Sequence, residues 1–166
     1  MLWVYKLAKN ILIQKASMIF DRTLSDVTQA IEIREKKVKG GQELTESDIE
    51  ILSKGFLTVE TLNRILQKQF EIKETLNVMG YYNIPIIFKS WNVGKYFYKS
   101  DLENIVKNNE ILRAAYYVFA TTPEGAVARA HYEELNKIEK TLFDLEEMAS
   151  DMMSLFRPCG TFECGG

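Results

Sequence analysis

Histidine occurs once in the 166 residues, at position 131, cysteine twice, at 159 and 164, and proline three times. One histidine, with no G-x-S-x-G element, leaves no nucleophile–base pair to assemble and no histidine-rich metal site. The glycine pairs at 40–41 and 165–166 have no Lys-Ser/Thr after them, so no phosphate-binding loop is present. Two cysteines exclude a disulfide framework as the main source of stability. The Cys-x4-Cys spacing supplies at best half of a zinc site; free thiols, a mutual disulfide and a site completed by other chains all fit it. Excess charge is missing too. The 21 basic and 23 acidic side chains are mixed along the chain, with no basic stripe to neutralise phosphates, which argues against nucleic acid as a partner. Long apolar runs are absent: Lys6, Lys9 and Lys15 interrupt residues 1–20 well short of the ~20 residues a bilayer span needs. That segment also lacks the layout of a secretory signal, so the expectation is a cytosolic chain with no membrane contact.

What the chain does have is a 46% hydrophobic content, enough to fill one core, and a phrase used three times. Thr61-Leu62-Asn63-Arg64-Ile65, Asp101-Leu102-Glu103-Asn104-Ile105 and Glu134-Leu135-Asn136-Lys137-Ile138 each place a leucine and an isoleucine three residues apart, on one helical face. The copies are 40 and 33 residues apart, room for one helix and a return connection. Such a pattern predicts that all six of these side chains are buried, and it belongs to a protein built for packing.

The elements follow from punctuation. Asp21-Arg22-Thr23 reads as a turn with capping side chains, before a helix from about Ser25 to Lys39 that stops at Gly40-Gly41. Ser47-Asp48-Ile49-Glu50 has capping-box spacing for a short helix ending near Gly55. A long helix after Thr58 carries Leu62, Ile65, Leu66, Ile72, Leu76 and Met79 up to Gly80. Pro85 and Gly94 make the next stretch a loop on the core. Ser100-Asp101-Leu102-Glu103 opens a helix with Leu102, Ile105, Val106, Leu112, Tyr116 and Phe119 on one face, broken at Thr121-Thr122-Pro123. The last helix carries Leu135, Ile138, Leu142, Leu145, Ala149 and Met152 and ends before Pro158. The expected fold is all-α: a bundle of four to five helices over residues 21–156, with an N-terminal extended arm (1–20) and an irregular C-terminal tail (157–166).

Two amides interrupt the apolar stripes seven residues after the leucine, at Gln69 and Asn109; the third copy has Leu142 there. Either they reach solvent at the boundary, or they form a buried pair that fixes helix register against a partner. Trp91, Tyr96, Phe97 and Tyr98 either roof the core of their own chain or form a subunit contact, a role aromatic side chains suit because they bury large areas with few torsions to freeze. Phe162 is the one large apolar side chain of the tail, and a neighbouring chain is its expected host. His131 reads as a surface or capping residue, and pairs such as Glu133-Glu134 and Glu146-Glu147 as solvated helix faces. No catalytic, cofactor-binding or metal-binding residue is expected.

Asp21-Arg22-Thr23-Leu24-Ser25-Asp26-Val27, then Lys54-Gly55-Phe56-Leu57 leading into Leu62-Asn63-Arg64-Ile65, resembles helical modules of tail-associated structural proteins of phages of Gram-positive bacteria, with their D-R-T-x-x-D-V, K-G-x-L and D-L-N-R-I-E phrases. Trp91-x-x-Gly94-x-x-Phe97 before Asp101-Leu102 is similar to the lead into the same helix. The likeness runs from about Met18 to Ser154 and departs from the pattern at Thr61, Leu66, Glu103 and Asn104. It implies a non-enzymatic virion component near the tail tip, baseplate or fibre attachment, assembled in the host cytoplasm as a homo-oligomer among other tail or baseplate proteins. The alternative is a cytosolic helical adaptor binding a single protein partner.

Overall fold

The computed structural model describes residues 18–92 and 94–155, and these are all-helical, with no strand among them. Five helices form: α1 (Leu24–Ile33), which continues through a π-helical turn (Arg34–Val38), α2 (Glu46–Gly55), α3 (Val59–Val78), α4 (Lys99–Ala115) and α5 (Tyr132–Leu155). No helix among the described residues is long and apolar enough to cross a membrane.

The repeated phrase turns out to be the visible part of a pseudo-threefold design. Helices α3, α4 and α5 begin at Val59, Lys99 and Tyr132, the same 40 and 33 residues apart as the phrases. They run parallel: Arg64 meets Glu139 and Lys68 meets Glu146, while Gln69 meets Asn109 and Tyr81 meets Tyr116. Apolar positions recur at alternating spacings of three and four, the heptad seam of a coiled coil. Five layers result: Leu62/Leu102/Leu135, Ile65/Ile105/Ile138, Gln69/Asn109/Leu142, Ile72/Leu112/Leu145 and Leu76/Tyr116/Ala149. Every one of these fifteen side chains is buried.

Parallel neighbours need long returns, and here the returns are extended segments that descend the grooves between helices. Residues 84–91 lie between α3 and α4, where Ile87 meets Asn108 and, lower down, Trp91 meets Asn63. Residues 119–127 lie between α4 and α5: Thr122 meets Asp144, the Arg113 guanidinium reaches the Pro123 carbonyl, and the Val127 N–H reaches Glu134. The third groove, between α5 and α3, receives residues 18–22, with Ile19 against Glu139 and Arg22 against Asn136. Met18 is buried in the common core and Phe20 packs on Phe143. So residues 18–20, the last of the expected N-terminal arm, pack on the bundle of their own chain; residues 1–17 lie outside the described residues.

Helices α1 and α2 form a hairpin inserted between that third extended segment and α3, and they pack chiefly against each other. Thr23 and Thr45 cap them, each in a reciprocal box with the aspartate three residues on, Asp26 and Asp48. The cap of α2 is therefore Thr45, two residues before the expected Ser47. In α4 the box partner is Asp101, which accepts the Tyr98 N–H, and Ser100 lies inside the helix. α4 also ends at Ala115, ahead of the expected Phe119, because the aromatic and β-branched run Tyr116-Tyr117-Val118-Phe119 goes over to extended backbone and starts the return. α3 ends as its glycine requires: Gly80 takes a φ of 97° and the Tyr81 N–H bonds back to the Leu76 carbonyl.

Candidate functional site

The polar residues that the sequence scatters over helix faces converge on the backbone of the extended segments. Asn63 donates to the Trp91 carbonyl at 2.9 Å and accepts the Trp91 N–H at 2.8 Å. Asn136, in the corresponding place of α5, does the same for Arg22, at 2.9 and 3.1 Å. Asn108 holds Ile87 in the same way, at 2.7 and 2.9 Å. An extended segment without a strand partner has orphan N–H and C=O groups, and a side-chain amide, which carries both donor and acceptor groups, satisfies both at one residue. The asparagine shared by the first and third phrases is thus a backbone clamp. Its recurrence after the leucine was the signal in the sequence; what it clamps was not readable there.

Glu139 closes the third groove. Its side chain is fully buried and accepts from Arg22 Nη2 at 2.5 Å, Arg64 Nη2 at 2.9 Å and the Ile19 N–H at 2.7 Å. Arg22 also donates through Nε to the Lys54 carbonyl and through Nη1 to the Ile19 carbonyl, tying the hairpin to the bundle. A charge so placed is tolerable only because its partners are fixed around it. Sequence reading left Arg22 in a turn and did not single out Glu139 or Arg64, since a buried arginine and an exposed one look alike in sequence.

One layer up, Gln69 and Asn109 are buried and bonded at 2.8 Å; Gln69 also donates to the Ile105 carbonyl and accepts from Asn108, and Asn109 donates to the Ile138 carbonyl. Of the two readings of these amides the buried one holds, and the partner is a helix of the same chain.

The aromatic candidates divide. Trp91 is 3% exposed and meets Phe97 edge-on at 5.2 Å, beneath the Lys89 ammonium at 4.1 Å. Trp91 is buried and Phe97 half-buried, and both pack on the core of their own chain. Tyr96 and Tyr98, 80% and 60% exposed with rings 6.4 Å apart, remain at the surface. Phe162, Cys159 and Cys164 lie outside the described residues. At the opposite end of the bundle Val78, Tyr82, Tyr117 and Leu155 are also exposed. His131 is exposed, as expected, with Glu133 nearby.

Titratable groups are shifted by partners. Asp48 is pulled down to about 2 by the Lys37 ammonium at 2.5 Å, by the Thr45 hydroxyl and by the Thr45 N–H. Burial pulls the Lys68 pKa down, but ion pairs with Glu146 and Glu71 outweigh it and leave the ammonium above its usual range. Burial likewise pushes Asp101 up, and the Lys89 ammonium and Tyr98 N–H more than reverse it. Each of these groups is engaged in holding one element to another. Among the described residues no group of three or more His, Cys, Asp or Glu is arranged to hold a metal ion. No family model matches the chain, and neither a curated protein nor a solved structure gives a match.

Proposed function

We propose that this chain is a non-enzymatic structural subunit that works by protein–protein contact, and that its setting is the one the sequence resemblance implies, a phage tail or baseplate. The supporting observation is that large apolar side chains stand outside a core already complete without them. Tyr96 and Tyr98 at one end, and Val78, Tyr82, Tyr117 and Leu155 at the other, are exposed although the fifteen layer positions are closed. Exposed aromatics of this kind gain most from burial against a partner. The buried polar groups agree with the reading, since clamps, ion pairs and caps spend them on rigidity. Copies stacking or ringing through these ends would present identical surfaces to tail or baseplate neighbours.

A cytosolic adaptor is the second reading, favoured by the α1–α2 hairpin. Leu24 and Ile31, seven residues apart on α1, share an exposed face, and Ile49 of α2 is exposed as well. Native mass spectrometry of the full chain separates the two. A ring or trimer supports the virion subunit, and a monomer that stays monomeric at high concentration supports the adaptor. In the first case Tyr96→Ser with Tyr98→Ser, or Tyr82→Ser with Tyr117→Ser, is expected to dissociate the oligomer without unfolding it.

A further inference from the structure

The α1–α2 hairpin turns one apolar face outward. Its helices run antiparallel, with Lys37 against Asp48 and Asp26 against Lys54, and they come closest where Gly55 meets Ala30. Leu24, Val27 and Ile31 stand six and three residues before Ala30 and one after it. Ile49, Leu52 and Phe56 stand at the same places about Gly55. At 3.6 residues per turn those places lie about 60–120° round each helix from the contact. Equal rotations in an antiparallel pair lead to the same side, so the six apolar side chains share one face. The Arg34 guanidinium, over the Phe56 ring at 5.9 Å, reaches across on that side. The other side is the one tied down: Lys54 pairs there with Asp21 and Asp26, and its carbonyl accepts from Arg22. On the apolar face Leu24 is 65% exposed, Ile49 55% and Ile31 45%, while Val27, Leu52 and Phe56 are half-buried.

We propose that this face is a homodimer contact and that its occupant is the same face of a second copy. Charge carries the choice of occupant. The end of α1 and its π-helical turn are basic, with Arg34, Lys36, Lys37 and Lys39 against Glu35, and the start of α2 beside them is acidic, with Glu46, Asp48 and Glu50. Among the described residues the one ion pair between these two stretches is Lys37 with Asp48. Lys36 and Lys39 pair along the first helix with Glu32 and Glu35, and Glu46 and Glu50 make no ion pair. The apolar residues form a stripe that crosses from the start of α1 to α2. A twofold axis along that stripe exchanges the two helices and keeps their ends. The stripe then meets itself, and the basic stretch of each copy lies beside the acidic stretch of the other. Four helices enclose one core, each antiparallel to its neighbours, as in a four-helix bundle with an isologous contact. A partner carrying charge of one sign would be repelled by half of this face. The proposal does not rest on the assembly reading, which uses the two ends of the bundle. It gives to a second copy the face that the adaptor reading offers to another protein.

The test is the mass of the full chain in solution. Tyr82→Ser, Tyr96→Ser, Tyr98→Ser and Tyr117→Ser together remove association through the ends, so what remains reports the hairpin. Sedimentation equilibrium of this quadruple variant is expected to give the mass of two chains. Adding Ile31→Glu is expected to halve that mass and leave the helical circular dichroism unchanged. Ile31 lies near the middle of the stripe, where a twofold axis brings its two copies together. In a background of Cys159→Ser and Cys164→Ser, Ile31→Cys is therefore expected to form a disulfide between copies under mild oxidation. Gln29→Cys, on the opposite side of α1, is expected not to. A monomeric quadruple variant, a dimer that Ile31→Glu leaves intact, or equal cross-linking at positions 29 and 31 would overturn the proposal. Failure of the assembly reading shows separately, as a parent chain whose mass the four serine substitutions do not change.

Discussion

Gly55 approaches Ala30 so closely that a methyl group added to it would sit 2.3 Å from the Ala30 Cβ and 2.7 Å from the Asp26 carbonyl oxygen. The glycine of the Lys-Gly-Phe-Leu phrase was expected near a helix end, and it is the last residue of α2, but its role is close packing of α2 on α1. Gly55→Ala is expected to destabilise the hairpin by about 1–3 kcal/mol, as overpacking does. Adding Ala30→Gly should recover only part of this, because the backbone oxygen of Asp26 remains. Thermal melts of the three variants check it.

Glu139→Gln removes the charge between Arg22 and Arg64 and leaves two guanidinium groups facing a neutral amide. Breaking such a buried arrangement costs about 3–5 kcal/mol. The third groove should open first, so hydrogen exchange at Ile19 and Arg22 is the sharper readout, with loss of protection there before the α4 core. An unchanged melt and unchanged exchange would show that the cluster does not hold the segment.

The amide layer separates stability from specificity. Gln69→Leu alone deprives Asn109 Oδ1 of its donor and should cost about 1–3 kcal/mol. Gln69→Leu with Asn109→Leu makes the layer all leucine with Leu142 and should recover only part of that loss, since the Asn108 N–H that Gln69 accepts stays buried without its acceptor. What the double variant is expected to lose is a unique register, read as line broadening or doubled peaks in an amide NMR spectrum.

Asp48 gives the hairpin a pH dependence. Its folded pKa, about 2, lies below the usual aspartate value near 3.9, so its contribution is present above about pH 4 and is lost as pH falls towards 2. Lys37→Met removes the first of its partners and should raise the Asp48 pKa and move that loss to higher pH. Carboxyl NMR titration of both proteins measures the shift.

Helix class and most helix ends were readable in the sequence because they rest on neighbours in the chain. Thr23 and Thr58 cap the next turn, Gly80 stops α3, and Leu62, Ile65 and their counterparts mark one face by spacing alone. The placing of Tyr96 and Tyr98 against Trp91 and Phe97 was not readable. All four are aromatic, and only the packing of the return segment decides which two turn inward.

By itself the sequence determined three amphipathic helices of one design, with a leucine–isoleucine pair at the head of each and an amide at the third layer of two. Period and capping chemistry act over four residues or fewer, so no partner need be known. The tertiary structure alone decided that the three helices run parallel, that extended returns fill the grooves between them, and that Asn63, Asn108 and Asn136 hold those returns by the backbone. It also decided that Arg22 is buried with Glu139, 117 residues away along the chain. Those facts are long-range pairings, and a polar side chain shows its partner only once the fold has removed the water that would otherwise satisfy it.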